Sequence, residues 1–348
     1  MPVNETLSGY SDLAFRTAFG LYVLALLASM IYYAGFRVAK LSERELVGVG
    51  VPGSSAAGSP AAGSPAAGFT PAGSTGAELT ESTSLTDTGD EDRASAGSLR
   101  WARIAQLFVM VAFVFQAAAL VLRGIATDRF PWGNMYEFIL ASTLLAVGAG
   151  LVFLRKPALK VAWPFVLVPV LALLFFGGTH LYSEAAPVVP ALRSYWLPIH
   201  VSIISLGSGI FLIAGVASIM YLLRVWQPQG AEHGYGAGLA RPLPHADTLD
   251  RLAYRTTVIA FPIFGVGVLL GAVWAESAWG RFWGWDPKET ASFVSWVLYA
   301  GYLHARATSG WGAKKAAWIN LAGFAVLIFN LFFINIVVSG LHSYAGLN

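Results

Sequence analysis

Eight apolar runs leave this chain one kind of fold. Each is long enough to cross a bilayer, and in lipid only helices or closed barrels satisfy their own backbone. The runs are continuous rather than alternating, which selects helices. Their approximate limits are 13–35, 102–122, 134–154, 158–177, 196–223, 253–275, 290–307 and 316–338, the seventh being the shortest. The expectation is an all-α polytopic membrane protein of about eight transmembrane helices. Composition supports it: 56% of the 348 residues are hydrophobic and 12% charged, far from the balance of a soluble chain.

Three regions follow. Residues 1–40 hold the first run. They lack a basic leader and a small-residue cleavage site, so the run is expected to be a retained helix, not a signal peptide. Across 41–100 the composition changes. VPGSSAAGSPAAGSPAAGFTPAGSTG repeats AAGSP and drifts into TDTGDED. Gly, Ala, Ser and Pro bury little, so this segment is predicted to be a disordered cytoplasmic linker without chemistry of its own. Residues 101–348 form a seven-helix membrane domain.

Basic residues set the predicted orientation. With the N-terminus outside, 16 of the 22 Lys and Arg fall on cytoplasmic segments, leaving 6 on outer ones. That asymmetry places both termini outside. The net charge of +3 is spread along the chain, so there is no nucleic-acid footprint. The chain has no cysteine. It can make no disulfide and do no thiol chemistry itself, and any sulfur in its reaction must come from a partner or substrate.

Trp274–Glu289 reads WAESAWGRFWGWDPKE and holds four of the twelve tryptophans: Trp274, Trp279, Trp283 and Trp285. So much indole, glycine and charge cannot lie in lipid. The predicted topology puts the stretch on the outer face, between the sixth and seventh spans. Interfacial anchoring explains one or two tryptophans. Four interleaved with glycine exceed it, and fit a flat aromatic ligand that approaches the backbone closely. Asp286 and Glu289 also have a plainer reading, as the two ends of a capping box with Pro287 in the first turn.

Six histidines are present. His233 and His245 fall in the cytoplasmic loop 224–252 and are given no role. His180 lies in the outer loop 178–195. His200, in YWLPIHVSII, is near the outer end of the fifth span, and His342, in SGLHSYAGLN, follows the eighth. Topology thus brings two imidazoles to the face that carries the tryptophans. Two neutral imidazoles are a common axial pair for haem iron, and Arg281 and Lys288 are cations for its propionates. His304, in YAGYLHARA, lies on the seventh span, about 25 Å along the helix from Asp286. It is a candidate for a second, inner metal site or for a simple interfacial hydrogen bond. Asn134 and Glu137, in PWGNMYEF, have cap spacing at the start of the third span, and a role in supporting the outer site is expected for them.

These residues resemble a known family. WGRFWGWDPKET is similar to the WWD signature of haem-handling proteins in cytochrome c maturation. YLHAR, HVS, GLHSY and PWGNMYEF resemble the CcsA/ResC branch (CcsB in some bacteria), the membrane subunit of the system II cytochrome c synthase. The likeness covers roughly residues 100–345; the linker departs from the family's pattern. The resemblance implies presentation of haem b, as bound substrate, at the outer face of the cell membrane. There it would be attached covalently to CxxCH apocytochromes c, making the protein part of a cytochrome c haem lyase complex. It implies His200 and His342 as the external haem ligands, Trp279, Trp283, Trp285 and Asp286 as the haem-binding stretch, and His304 as the transmembrane histidine. It also implies a separate ResB/CcsB-type membrane partner, with thiol-reducing proteins as further partners. Two other readings stay open: a haem exporter or chaperone without ligase activity, and a transporter of another flat amphiphile.

Overall fold

The computed structural model describes residues 3–49, 87–186, 192–335, 337–338 and 340–341, with side chains left aside at 36–49 and 87–98. The described chain is helical throughout. In order come α1 (Glu5–Val49), α2 (Asp87–Thr127), α3 (Met135–Phe153), α4 (Trp163–His180), α5 (Trp196–Trp226), the short α6 (Ala237–Ala240), α7 (Ala246–Trp279), α8 (Pro287–Ala307) and α9 (Ala313–Phe329). A 3₁₀ turn, Pro157–Ala162, leads into α4, and a π-turn, Asn330–Ile334, ends α9.

Local sequence sets the boundaries. Asn134 caps α3, its Oδ1 accepting the Glu137 N–H at 2.9 Å. Pro164 occupies the first turn of α4, where its missing N–H costs nothing. Gly280, at φ +70°, ends α7 in the left-handed conformation that glycine tolerates best. The 41–100 segment, predicted as one disordered linker, is helical at both flanks. α1 is described as far as Val49 and α2 from Asp87. Residues 50–86 lie outside the described part.

Among the described residues seven helices are long and apolar enough to cross a membrane: Glu5–Gly35, Leu99–Thr127, Met135–Phe153, Pro157–His180, Trp196–Trp226, Ala246–Trp279 and Ala313–Ile334. This is a polytopic membrane protein. The seventh expected span, 290–307, corresponds to α8. Its 21 residues rise about 31 Å, enough for the hydrocarbon layer. It is more polar than the others, and Ser292 and Ser295 turn into the bundle rather than toward its surface.

α5 is the central helix and packs on α7, α3 and α9. Small residues permit the close approach. A Cβ on Gly207 would stand 2.9 Å from the Phe264 backbone, and one on Gly267 2.8 Å from the Ile204 Cα. Hydrogen bonds inside the bundle add to this packing. Gln116 donates to Leu140 O and to Thr143 Oγ1, both at 2.8 Å, and accepts from Tyr22 at 2.8 Å, joining α1, α2 and α3. Asn320 donates to Thr257 at 2.8 Å, joining α9 to α7.

Each end of the bundle is stapled by a buried arginine. At the end that carries the tryptophan stretch, Arg123 Nε pairs with Glu137 at 2.9 Å, both side chains being fully buried. Arg129 pairs with the same carboxylate at 2.7 Å, and the Gly133 N–H donates to it at 2.7 Å. Arg123 and Arg129 also reach Ser183 O and Ala186 O, so one carboxylate ties the 128–137 loop to the chain after α4. At the other end Arg224 pairs with Glu232 at 2.8 Å and donates to the Ala240 and Leu243 carbonyls. Burial pushes the Glu232 carboxyl up, but the Arg224 hydrogen bond and charge outweigh it and hold it below the usual range.

Candidate functional site

A cavity of about 230 Å³ opens beside the tryptophan stretch, between α3, α5, α7, α8 and the end of α9. A water molecule needs roughly 10–15 Å³ of such space, so this is room for a ligand, not a packing defect. Most of its wall is apolar, from Trp132, Met135 and Phe138 through Phe264 and Phe324 to Trp279, Phe282 and Trp283.

His200 stands in that wall. Its Nδ1 lies 2.8 Å from the Gly267 carbonyl oxygen. A carbonyl only accepts, so Nδ1 carries the proton and, in the neutral ring, Nε2 carries the lone pair. This is the arrangement that orients a metal-binding imidazole. The ring lies flat against Trp274, with centroids 5.9 Å apart and planes at 8°. Trp274 in turn meets Trp279 edge-on at 4.7 Å. Gly271 makes room for the ring, since a Cβ there would stand 2.7 Å from His200 Cε1 and 3.0 Å from Nδ1. A flat apolar ligand held through a metal fits this donor set.

The other sequence-derived candidates divide. Trp279, Trp283 and Lys288 line the cavity with His200. Trp285 does not; it is 68% exposed, in the left-handed conformation at φ +57°. Asp286 is a cap, as the plainer reading has it. Its Oδ2 accepts the Lys288 N–H at 3.1 Å, and its Oδ1 accepts the Leu341 N–H at 2.9 Å. It thereby holds the chain one residue before His342, which itself lies outside the described residues. Arg281 pairs with Glu289 at 2.9 Å and sits 5.6 Å over the Trp279 ring. Glu289 also accepts the Gly284 and Asp286 N–H groups at 2.9 and 3.2 Å, closing the loop on itself. Lys288 donates to Asn335 Oδ1 and stands 5.6 Å over the Phe138 ring. It lies in the first turn of α8.

His304 is far from the cavity and exposed on α8. His180 is likewise exposed, beside Phe176 at 5.2 Å, and does not line the cavity. His233 turns back on the Ala231 carbonyl of its own loop, at 2.9 Å. Glu137 stays out of the cavity, while Trp132, Met135 and Phe138 around it form part of the wall. Gly271, Asn330 and Asn335 line the cavity and carry signals that sequence inspection passed over. Gly267 and Gly271 are one helical turn apart in an apolar run, the spacing of close helix contacts. Asn330 and Asn335 interrupt the apolar run FNLFFIN, where polar residues are seldom idle.

The family model "Cytochrome C assembly protein" matches residues 132–342, which include every cavity-lining element named above. The chain belongs to the cytochrome c assembly family. Relatives include the cytochrome c biogenesis protein CcsA of Synechococcus sp. (strain RCC307), 34% identical over 269 residues, covering 70% of this chain and 85% of that one. The CcsA of Gloeobacter violaceus is 33% identical over 290 residues, covering 68% and 85%. That of Guillardia theta is 34% identical over 242 residues, covering 65% and 80%. Among solved structures, cytochrome c heme lyase CcmF superposes with a TM-score of 0.59 over 95% of this chain at 17% identity. That likeness shows the fold alone, and this chain spans 47% of that one. Membership gives this multi-pass membrane protein a role in cytochrome c biogenesis.

Proposed function

We propose that the protein binds haem b as its substrate in the cavity and presents it at the outer membrane face for attachment to CxxCH apocytochromes c. The observation that carries this reading is His200, fixed by Gly267 O and stacked on Trp274, in an apolar wall shared with Trp279 and Trp283. Under it His200 and His342 are the axial ligands. Bis-histidine ligation holds the iron and tunes its potential. Haem supplies the reactivity, and the chain orients it and excludes water. Each thioether forms when a cysteine S–H adds across a vinyl group. Sulfur bonds to one vinyl carbon and the proton goes to the other, so the step needs no oxidant or reductant. The absence of cysteine from this chain is consistent with thiols that come from the apocytochrome.

The reading includes a ResB/CcsB-type membrane partner, thiol-reducing proteins that keep the CxxCH cysteines reduced, and the cell membrane as the site of action. Its exposed position on α8 suits His304 to share an inner haem site with a partner helix. The test is coexpression with that partner and a CxxCH substrate. Haem covalently attached to the substrate, surviving denaturation, is the expected outcome. Bound haem that is never transferred would instead favour a chaperone or exporter. In the same cells His304→Ala is expected to lower haem loading of the complex at normal protein level, and normal loading would exclude the inner site.

A further inference from the structure

Five arginines at the ends of the bundle meet carboxylates. Arg123 and Arg129 share Glu137, Arg224 meets Glu232, Arg281 meets Glu289 and Arg306 meets Asp250. Lys288 differs: among the described residues no carboxylate forms an ion pair with it. Its half-buried ammonium is held by Asn335 Oδ1 and stands 5.6 Å over the Phe138 ring, with Asp286 too distant for an ion pair, and it lines the cavity.

Its neighbours in the cavity wall are polar as well. Ser292, Asn330 and Asn335 line the cavity with it, the two asparagines spanning the π-turn whose hydrogen bonds run from i to i+5. Asn330 is 7% exposed, donates to Ser292 Oγ at 2.9 Å and leaves its Oδ1 without a partner. The wall there sets one ammonium among neutral polar groups, which suits an anion.

We propose that Lys288, with Asn330, Asn335 and Ser292, is the seat of a carboxylate borne by the flat ligand. This rests on the haem reading of the cavity, and there the carboxylate is a propionate. Lys288 exchanges its Asn335 contact for the propionate. Arg281, engaged by Glu289, takes no part. The two propionates of haem share one edge of the porphyrin, and the vinyl groups lie toward the opposite edge. Anchoring a propionate at Lys288 therefore turns the vinyl edge away from the α8–α9 wall and leaves it for the incoming thiols. The seat determines which edge of the substrate reacts.

The full-length chain, purified from haem-depleted cells, is titrated with ferric haem and with its dimethyl ester, followed by Soret absorbance. The ester keeps the ring, iron and vinyls and loses only the carboxylate charges. A charge-assisted hydrogen bond predicts that wild type binds haem about tenfold or more tighter than the ester. Lys288→Met is expected to weaken haem, leave the ester unchanged and abolish most of the difference. Equal affinities in wild type overturn the seat while both porphyrins still bind, and so leave the haem reading intact. A preference retained in Lys288→Met also overturns it. Binding of neither porphyrin overturns the haem reading and the seat together. Were Lys288→Met to misfold, Lys288→Gln is read by the same pair of titrations, and a preference retained there overturns the seat.

Discussion

Glu137→Ala is expected to destabilise the protein by about 3–5 kcal/mol, because it leaves a buried guanidinium with only the longer contact to Asp12. Arg123 and Glu137 are both fully buried and 2.9 Å apart, and the next carboxylate, Asp12, is 3.7 Å from Arg123. The substitution also strands Arg129 and the Gly133 N–H, which use the same carboxylate. Tryptophan fluorescence during heating in detergent should show a fall in Tm of several degrees. An unchanged Tm would mean that the ion cluster is not what holds this end of the bundle. The loss should reach the site as well. Trp132, Met135 and Phe138, on either side of the cluster, line the cavity, so haem loading is expected to fall although Glu137 itself does not touch the cavity.

Gly271→Val should act in the opposite way, sparing the fold and removing ligation. A single Cβ at 271 already falls 2.7 Å from the His200 ring, and the two added methyls cannot be placed while the imidazole keeps both Gly267 O and Trp274. The ring must leave its hydrogen bond or turn its lone pair elsewhere. Loss of such an orienting contact weakens metal binding by about 10–100-fold. The ferric absorption spectrum of the variant should approach that of His200→Ala, with protein level near normal. A spectrum like that of wild type would show that the iron does not depend on how His200 is held.

What the sequence made legible follows from the kinds of signal it carries. Runs of apolar residues report helices directly, and the described helices coincide with all eight expected spans. Positions 290–307 were found despite α8 being the most polar, because its serines face inward and leave an apolar exterior. The caps at Asn134 and Asp286 were legible from spacing alone, since a cap is a local interaction. Partners distant in sequence were not. Nothing local distinguishes Arg281 from Lys288, and only the fold shows one neutralised by Glu289 and the other facing the cavity. Likewise Trp285 reads as the equal of Trp279 and Trp283 until the backbone at φ +57° turns it outward. His342 lies outside the described residues, so its share in the site rests on the family resemblance and on the Asp286 contact to Leu341.

The central claim is that haem is held at the tryptophan face through His200 and His342. The direct measurement is the absorption spectrum of the protein purified with its membrane partner from haem-replete cells, beside that of a His200→Ala, His342→Ala double variant. The account predicts a Soret band in the parent and its loss or altered ligation in the variant. An identical spectrum from the double variant would place any haem elsewhere, and a well-folded parent complex without haem would contradict the account outright.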